Sequence, residues 1–268
     1  MRKRHIVIFP LVIALAFMAF RYFTAEKVVN PLTGKTARVG LSSQQEETLG
    51  LQSYREVLSQ SEVISRGPEH DTVMRVAGRL TAVTSSEAKD FQWQASVVQS
   101  PLVNAFCLPG GKIVVYSGIL PYTKTEAGLA AVIGHEMAHA VARHGSQRLL
   151  RTSLAQTFLM GANFSFGNLD LQERQTLMAA LGAGAQYGLL LPFSRQQETE
   201  ADEMGLLYMA RAGYDPREAI AFWERMSRSG GAQPPAYLST HPSHAERIQD
   251  LQAFMPKALA EYDKRKGS

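Results

Sequence analysis

Leu129-Ala-Ala-Val-Ile-Gly-His135-Glu136-Met137-Ala138-His139-Ala140-Val-Ala142 is the stretch that decides how this 268-residue chain is read. Residues four apart in an α-helix stand one turn above each other on one face, so His135 and His139 can aim two imidazoles at a single ion. Glu136 is rotated about 100° from His135, which sets its carboxylate beside that ion and within reach of a water. The flanks are apolar on most sides and predict a buried helix. Two histidines and a glutamate are costly in such a place unless they are paired or ligated. The H-E-x-x-H spacing therefore points to a metal site with a carboxylate base.

A catalytic zinc needs a third protein ligand and an open position for water. His144 is near in sequence, but it falls about 180° round the helix from His135. A metzincin would carry glycine at position 142 and histidine at 145, where this chain has Ala142 and Gly145. The donor must come from elsewhere, and Glu198-Thr-Glu-Ala-Asp202 is the best candidate. Glu198 and Asp202 share a helix face, so one can ligate while the other orients a ligand histidine. Glu200 is turned off that face.

Composition excludes several classes. The chain is 45% hydrophobic and 19% charged, without low-complexity tracts, so a packed core is expected rather than disorder. One cysteine, Cys107, rules out an intrachain disulfide framework and a cysteine-based zinc cluster. Arg2, Lys3, Arg4 and Arg21 precede the first acidic residue and account for the whole +4 charge. The remaining body is neutral and offers no basic stripe, so no nucleic-acid partner is expected.

Those early cations flank the apolar run Ile6–Phe20. A basic start and a short apolar stretch make a signal peptide or membrane anchor over 1–25. The run is shorter than the roughly 20 residues of a relaxed span. Ala14-Leu15-Ala16 resembles a cleavage site, and cleavage and retention both stay open. Residues 26–40 read as a polar linker and 41–268 as the functional domain.

Within that domain Ser43-x-x-Glu46 opens a helix to about Ser65, and a second helix runs from Pro68 to about Val83. Alternation at Phe91, Trp93, Ala95 and Val97 predicts a strand. Val103–Leu108 and Lys112–Tyr116 flank Pro109-Gly110-Gly111 as a hairpin. Thr123-x-x-Glu126 caps the long helix through about Arg143. Further helices are predicted over Gln147–Gly161, Leu171–Leu191, Arg195–Ala212, Arg217–Met226 and Pro242–Phe254. The fold class is α+β, mostly helical, with one small sheet. Thr152–Leu169 and Gln175–Ser194 lack charge but carry scattered polar groups, so buried helices or a lid are expected there in preference to membrane spans.

Asn104-Ala-Phe-Cys-Leu-Pro-Gly-Gly111, His135-Glu-Met-Ala-His139, Ser194-Arg-x-x-Glu198-x-Glu-Ala-Asp202, Ala212-Gly-Tyr-Asp-Pro216 and Thr240-His-Pro242…Arg247 together resemble the M48 family of peptidases. These are gluzincin-type zinc metallopeptidases; they include CAAX prenyl proteases, an Oma-type mitochondrial protease and bacterial envelope quality-control proteases. The linker Asn30-Pro-Leu-Thr-Gly34 looks like that of small periplasmic members, although this N-terminal segment has no lipidation cysteine, so lipoprotein anchoring is not expected.

The resemblance implies one Zn²⁺ per chain held by His135, His139 and Glu198, with Glu136 as general base. It implies a supporting or proton-donating role for Asp202, and places His241 and Arg247 near the substrate carbonyl. In some members the residue matching His241 takes the fourth metal position and holds the enzyme idle. The substrate-binding positions are expected at Asn104, Ala105, Phe106, Gly110 and Gly111, where an extended peptide would add as a strand along Lys112–Tyr116 or the edge Asn104–Leu108. The expectation is an exported zinc endopeptidase, periplasmic or held at the inner membrane, acting on misfolded or misassembled polypeptides. The alternative is a chaperone-like scaffold with low or latent activity. Cys107 reads as a small packed residue, not a nucleophile.

Overall fold

The structure is a computed structural model and describes residues 6–228, 235–241 and 246–266. In chain order its elements are α1 (Ile8–Thr24), β1 (Glu26–Val29), β2 (Thr36–Val39), α2 (Ser43–Ser59), β3 (Val63–Ile64), α3 (Pro68–Val83), β4 (Gln94–Val98), β5 (Ala105–Leu108), β6 (Lys112–Tyr116), α4 (Leu120–Thr123), α5 (Glu126–Val141), α6 (His144–Ser165), α7 (Leu171–Ala185), α8 (Leu191–Arg211), α9 (Glu218–Arg228), α10 (Ala236–Thr240) and α11 (Arg247–Lys266). This is the helix-rich α+β class with small sheets. The chain divides into two compact units. The first takes the residues up to Val29, Lys35–Ser42 and His144–Gln197; the second takes Asn30–Gly34, Ser43–Arg143 and the described residues from Glu198 onward.

The second unit holds the main core. A four-stranded sheet in the order β3-β4-β6-β5 has β4 and β6 parallel and its other pairs antiparallel. Ile113, Val114 and Val115 of β6 are buried, as are Val73, Val76, Ala77 and Leu80 of α3. α5 is buried along nearly all its length, which explains its even apolar composition. Its start is set by Thr125, whose Oγ1 accepts the Gly128 N–H at 3.0 Å, and not by Thr123 as the sequence spacing suggested. It stops at Val141, two residues short of expectation, where Arg143 turns left-handed at φ 57°.

Other boundaries shift for local reasons. α2 ends at Ser59 rather than Ser65 because Val63 and Ile64 are drawn into the sheet opposite Val98 and Val97. Phe91 and Trp93 lie ahead of β4. The predicted start of the last helix at Pro242 lies outside the described residues; α11 is described from Arg247.

The expected linker is structured. β1 and β2 pair antiparallel in the first unit, with Glu26 opposite Val39. In the second unit the Asn30 side chain accepts the N–H groups of Leu32 and Thr33 and donates to Glu200 at 2.7 Å.

The first unit departs furthest from the sequence reading. α1 packs along α6, but Ala14 is its one buried residue. A π-helical turn over Gln186–Leu190 joins α7 to α8, so the helix continues through Pro192 instead of restarting after it. None of the residues of α7 is buried, which overturns the expectation of a buried helix. Leu171–Arg211 is long and apolar enough by length and composition to cross a membrane.

Candidate metal centre

α5 and α8 supply the centre, and two glycines let them meet. A Cβ built on Gly205 would lie 3.1 Å from the His135 backbone nitrogen, and one on Gly134 would lie 3.3 Å from the Gly205 carbonyl oxygen. Without side chains at this crossing the backbones close up. Glu198, one helical face along α8, then reaches the two histidines of α5.

The donors converge. His139 Nε2 is 3.0 Å from His135 Nε2, and Glu198 Oε2 is 3.3 Å from His135 Nε2. Glu198 Oε1 lies 3.4 Å from His139 Nε2. His241 Nδ1 completes the group at 3.2 Å from His135 Nε2 and 3.1 Å from Glu198 Oε2. All four residues offer ligand atoms within 4.8 Å of one another. A tetrahedral site with bonds of about 2.0–2.1 Å separates its donors by about 3.3 Å, so the spacing is that of a metal cage. Glu198 Oε1 and Glu136 Oε1 are buried and accept no hydrogen bond. Oxygens left in this state are expected where a cation or substrate group belongs.

Behind the cage, Asp202 Oδ1 lies 2.9 Å from His135 Nδ1 and fixes which imidazole nitrogen faces the centre. Arg247 is 1% exposed. Its Nη2 donates to Asp202 Oδ1 at 2.7 Å and its Nη1 donates to Glu198 Oε2 at 3.2 Å, while its guanidinium lies 3.5 Å over the Trp223 ring. The resemblance implied that Arg247 approaches the substrate carbonyl; here it is enclosed by the carboxylates that steady the cage. His241 Nε2 sits 3.3 Å from Glu136 Oε1, linking base and cage.

Burial opposes charge throughout, and at His135, Glu198 and Asp202 the neighbours outweigh it. Asp202 and Glu198 hold His135 up at about 9 despite its desolvation. Burial would raise Glu198, yet the adjoining imidazoles of His135 and His139 hold its carboxyl far below the usual range. Asp202 is likewise lowered against its burial by Arg247 and His135. The Tyr237 hydroxyl is pushed well up by burial and by the carboxylate of Glu136.

The remaining expected residues divide. β5 is one of the sheet's two edge strands and carries Ala105 and Phe106, while β6 is paired on both sides and has no edge for an added peptide. Asn104 sits at the mouth of β5, its carbonyl accepting the Tyr116 N–H at 3.2 Å. Gly110 and Gly111 form the turn between β5 and β6. Both have positive φ, and their carbonyls accept the N–H groups of Gln92 and Gln94. A Cβ on Gly111 would strike Trp93 at 2.8 Å. Cys107 has its thiol pushed far up by burial, which removes it as a nucleophile.

Sequence reading missed Trp223 and Tyr237. The Trp223 and Tyr237 rings stack at 5.6 Å, and Tyr237 lies 4.7 Å from the His241 ring. Ala219, Phe222, Trp223 and Met226 form the buried stripe of α9; that periodicity announces core, and nothing in it announces a floor for Arg247.

An H-E-x-x-H helix, a carboxylate from a second helix and a small sheet alongside define a zincin-type metallopeptidase. Comparison with known proteins agrees. The family model described as Peptidase family M48 matches residues 69–255. The chain is 38% identical over 242 residues to the mitochondrial metalloendopeptidase OMA1 of Schizosaccharomyces pombe, covering 88% of this chain and 68% of that protein. It is 44% identical to Arabidopsis thaliana OMA1 over 62% of this chain and 32% of that one. The beta-barrel assembly-enhancing protease of Yersinia pestis is 30% identical over 82% of this chain and 46% of its own length. This chain belongs to peptidase family M48 and is a metalloendopeptidase. It spans about two thirds of the fission-yeast relative, a third of the plant one and less than half of the bacterial one.

Proposed function

We propose that the chain is a zinc-dependent endopeptidase of the bacterial envelope that cleaves misfolded or misassembled polypeptides. The observation that carries the proposal is the convergence of His135, His139 and Glu198 on one point with Glu136 at its side. These three residues would hold one Zn²⁺, which when bound supplies the Lewis acidity that activates water near neutral pH and polarises a carbonyl. Asp202 and Arg247 keep His135 and Glu198 in place.

Glu136 acts as the base. Its open Oε1 takes a proton from the attacking water and returns it to the leaving amine. His241, at 3.3 Å from that oxygen, helps hold the proton and faces the developing oxyanion. An extended substrate pairs along the edge of β5, beginning at Asn104, and is held by backbone hydrogen bonds that read little side-chain identity. Loosely folded chains are the substrates such a grip favours. Export through the basic, apolar N-terminal segment would put the enzyme in the periplasm or on the outer face of the inner membrane. The position of His241 Nδ1 at the fourth corner of the cage favours a second reading, a resting or chaperone-like state of low activity.

The full chain, loaded with zinc and supplied with unfolded casein, tests the assignment. Glu136→Gln should keep its metal and lose cleavage by roughly 100-fold or more; His135→Ala should lose both. Full activity in the glutamine variant would end the mechanism. An inert parent chain that gains activity as His241→Ala would identify the resting state.

A further inference from the structure

We infer that the first unit is a lipid-embedded module in which α1 is retained and the outer faces of α1, α6 and α7 meet acyl chains. It goes beyond an N-terminal anchor and is independent of the metal chemistry.

The first observation is α7. No charged residue lies between Arg174 and Arg195, close to the roughly 20 residues that cross a bilayer. Leu177, Ala179, Ala180, Ala183 and Tyr187 are exposed, and the residues between them are at most half-buried where described. A helix in water keeps a polar face, and a second protein copy would cover one side. Between Gln175 and Gln186, themselves exposed, the exposed side chains are apolar apart from Thr176, which suits surrounding lipid.

The second is how α1 docks. Leu11, Ala14 and Met18 form the stripe of α1 that is withdrawn from the surface, while Phe9, Phe17 and Phe20 stay exposed. A Cβ on Gly161 of α6 would fall 2.4 Å from the Ala14 Cβ and 3.2 Å from the Pro10 carbonyl oxygen. Small residues bring helices this close in membranes, where packing replaces the hydrophobic effect as the force of association.

The third is polar satisfaction. Scattered polar groups in α6 argue against hydrocarbon only while they lack partners. Here Ser165 closes the start of α1: its carbonyl accepts the Val7 N–H at 2.9 Å and its Oγ accepts the Leu11 N–H at 3.0 Å. Ser153 and Thr157 donate back to the carbonyls of Leu150 and Ser153. Asn163 Oδ1 accepts from Arg174 Nε and Nη2, at 3.0 and 2.6 Å. At the other end of α1, Arg38 lies 5.0 Å over the Tyr22 ring and donates to the carbonyls of Phe23 and Ala25. Aromatic rings and a cation together belong at headgroup depth. Cleavage after Ala16 would remove the part of α1 that docks on Gly161 and Ser165, so this module requires the segment uncut.

The test uses the full chain in vesicles of phosphatidylethanolamine and phosphatidylglycerol doped with a phospholipid carrying a diazirine on its acyl chain. Irradiation and peptide mapping should find adducts enriched in both 8–23 and 177–191 over α2, and the intact mass should include α1. Adducts confined to 8–23 would mean a lone anchor and overturn the proposal, as would loss of α1 from the mass. A crosslinked dimer through an unlabelled α7 would overturn it in favour of a second copy. None of these readouts depends on zinc or casein cleavage, so the peptidase reading stands or falls separately.

Discussion

Asp202 does its work through another residue. Its Oδ1 holds the His135 Nδ1 side of the ring at 2.9 Å, and Arg247 holds Asp202 in turn at 2.7 Å. Changing Asp202 to asparagine preserves the shape but weakens the acceptor and admits the wrong imidazole tautomer. Metal affinity should fall about 10- to 100-fold, read by competition with a chromogenic chelator. Unchanged affinity would show that the ring is oriented by packing alone. Arg247 is the harder residue to foresee. An arginine far along the chain reads as a surface cation, and only the closeness of two buried carboxylates and the Trp223 face makes its full burial tolerable.

At the scale of elements, the crossing of α5 and α8 sets the cage. Gly205→Val would push a branched side chain against the His135 backbone, where a Cβ alone already sits at 3.1 Å. Overpacking of this kind costs about 1–3 kcal/mol, and the displaced α8 should carry Glu198 away and lower zinc content in metal analysis. A variant with normal metal content would show that the helices part without disturbing the donors. α5 was legible in the sequence because its apolar flanks and H-E-x-x-H spacing agree, and Glu198 and Asp202 were legible because they repeat the same spacing. β1 and β2 were hidden because strands of four residues, Glu26–Val29 and Thr36–Val39, are too short for their polar and apolar residues to announce a period. α7 was misjudged because a lack of charge is shared by buried helices and lipid-facing ones; burial, which a sequence does not display, separates them. Tyr237 and Trp223 come to the site from separate short helices, a meeting that only the tertiary fold creates.

For the whole molecule, the buried charges couple stability to pH once metal is removed. His135 rises from an ordinary value near 6.5 to about 9 in the folded chain. A raised pKa means the folded state holds the proton more tightly, so this contribution is complete below pH 6.5 and is lost as pH climbs through 9. Chelator-treated protein should therefore melt at progressively lower temperature across that window, by scanning calorimetry. A midpoint that climbed instead would mean His135 is already neutral in the metal-free fold. Metal binding requires the opposite, a neutral imidazole, so loading should release protons into a weakly buffered solution.

The guanidinium lying on Trp223 also gives the molecule an optical gauge of its own centre. The chain has only two indoles, and Trp93 packs at the turn beside Gly111. Replacing Trp93 with phenylalanine leaves a single emitter, 3.5 Å from a cation that also grips Glu198. When an ion draws Glu198 toward itself, that cation should shift over the ring and change the emission, so that occupancy can be followed by fluorescence titration without substrate. A flat trace during loading that metal analysis verifies would mean that Arg247 stays put while its partner moves.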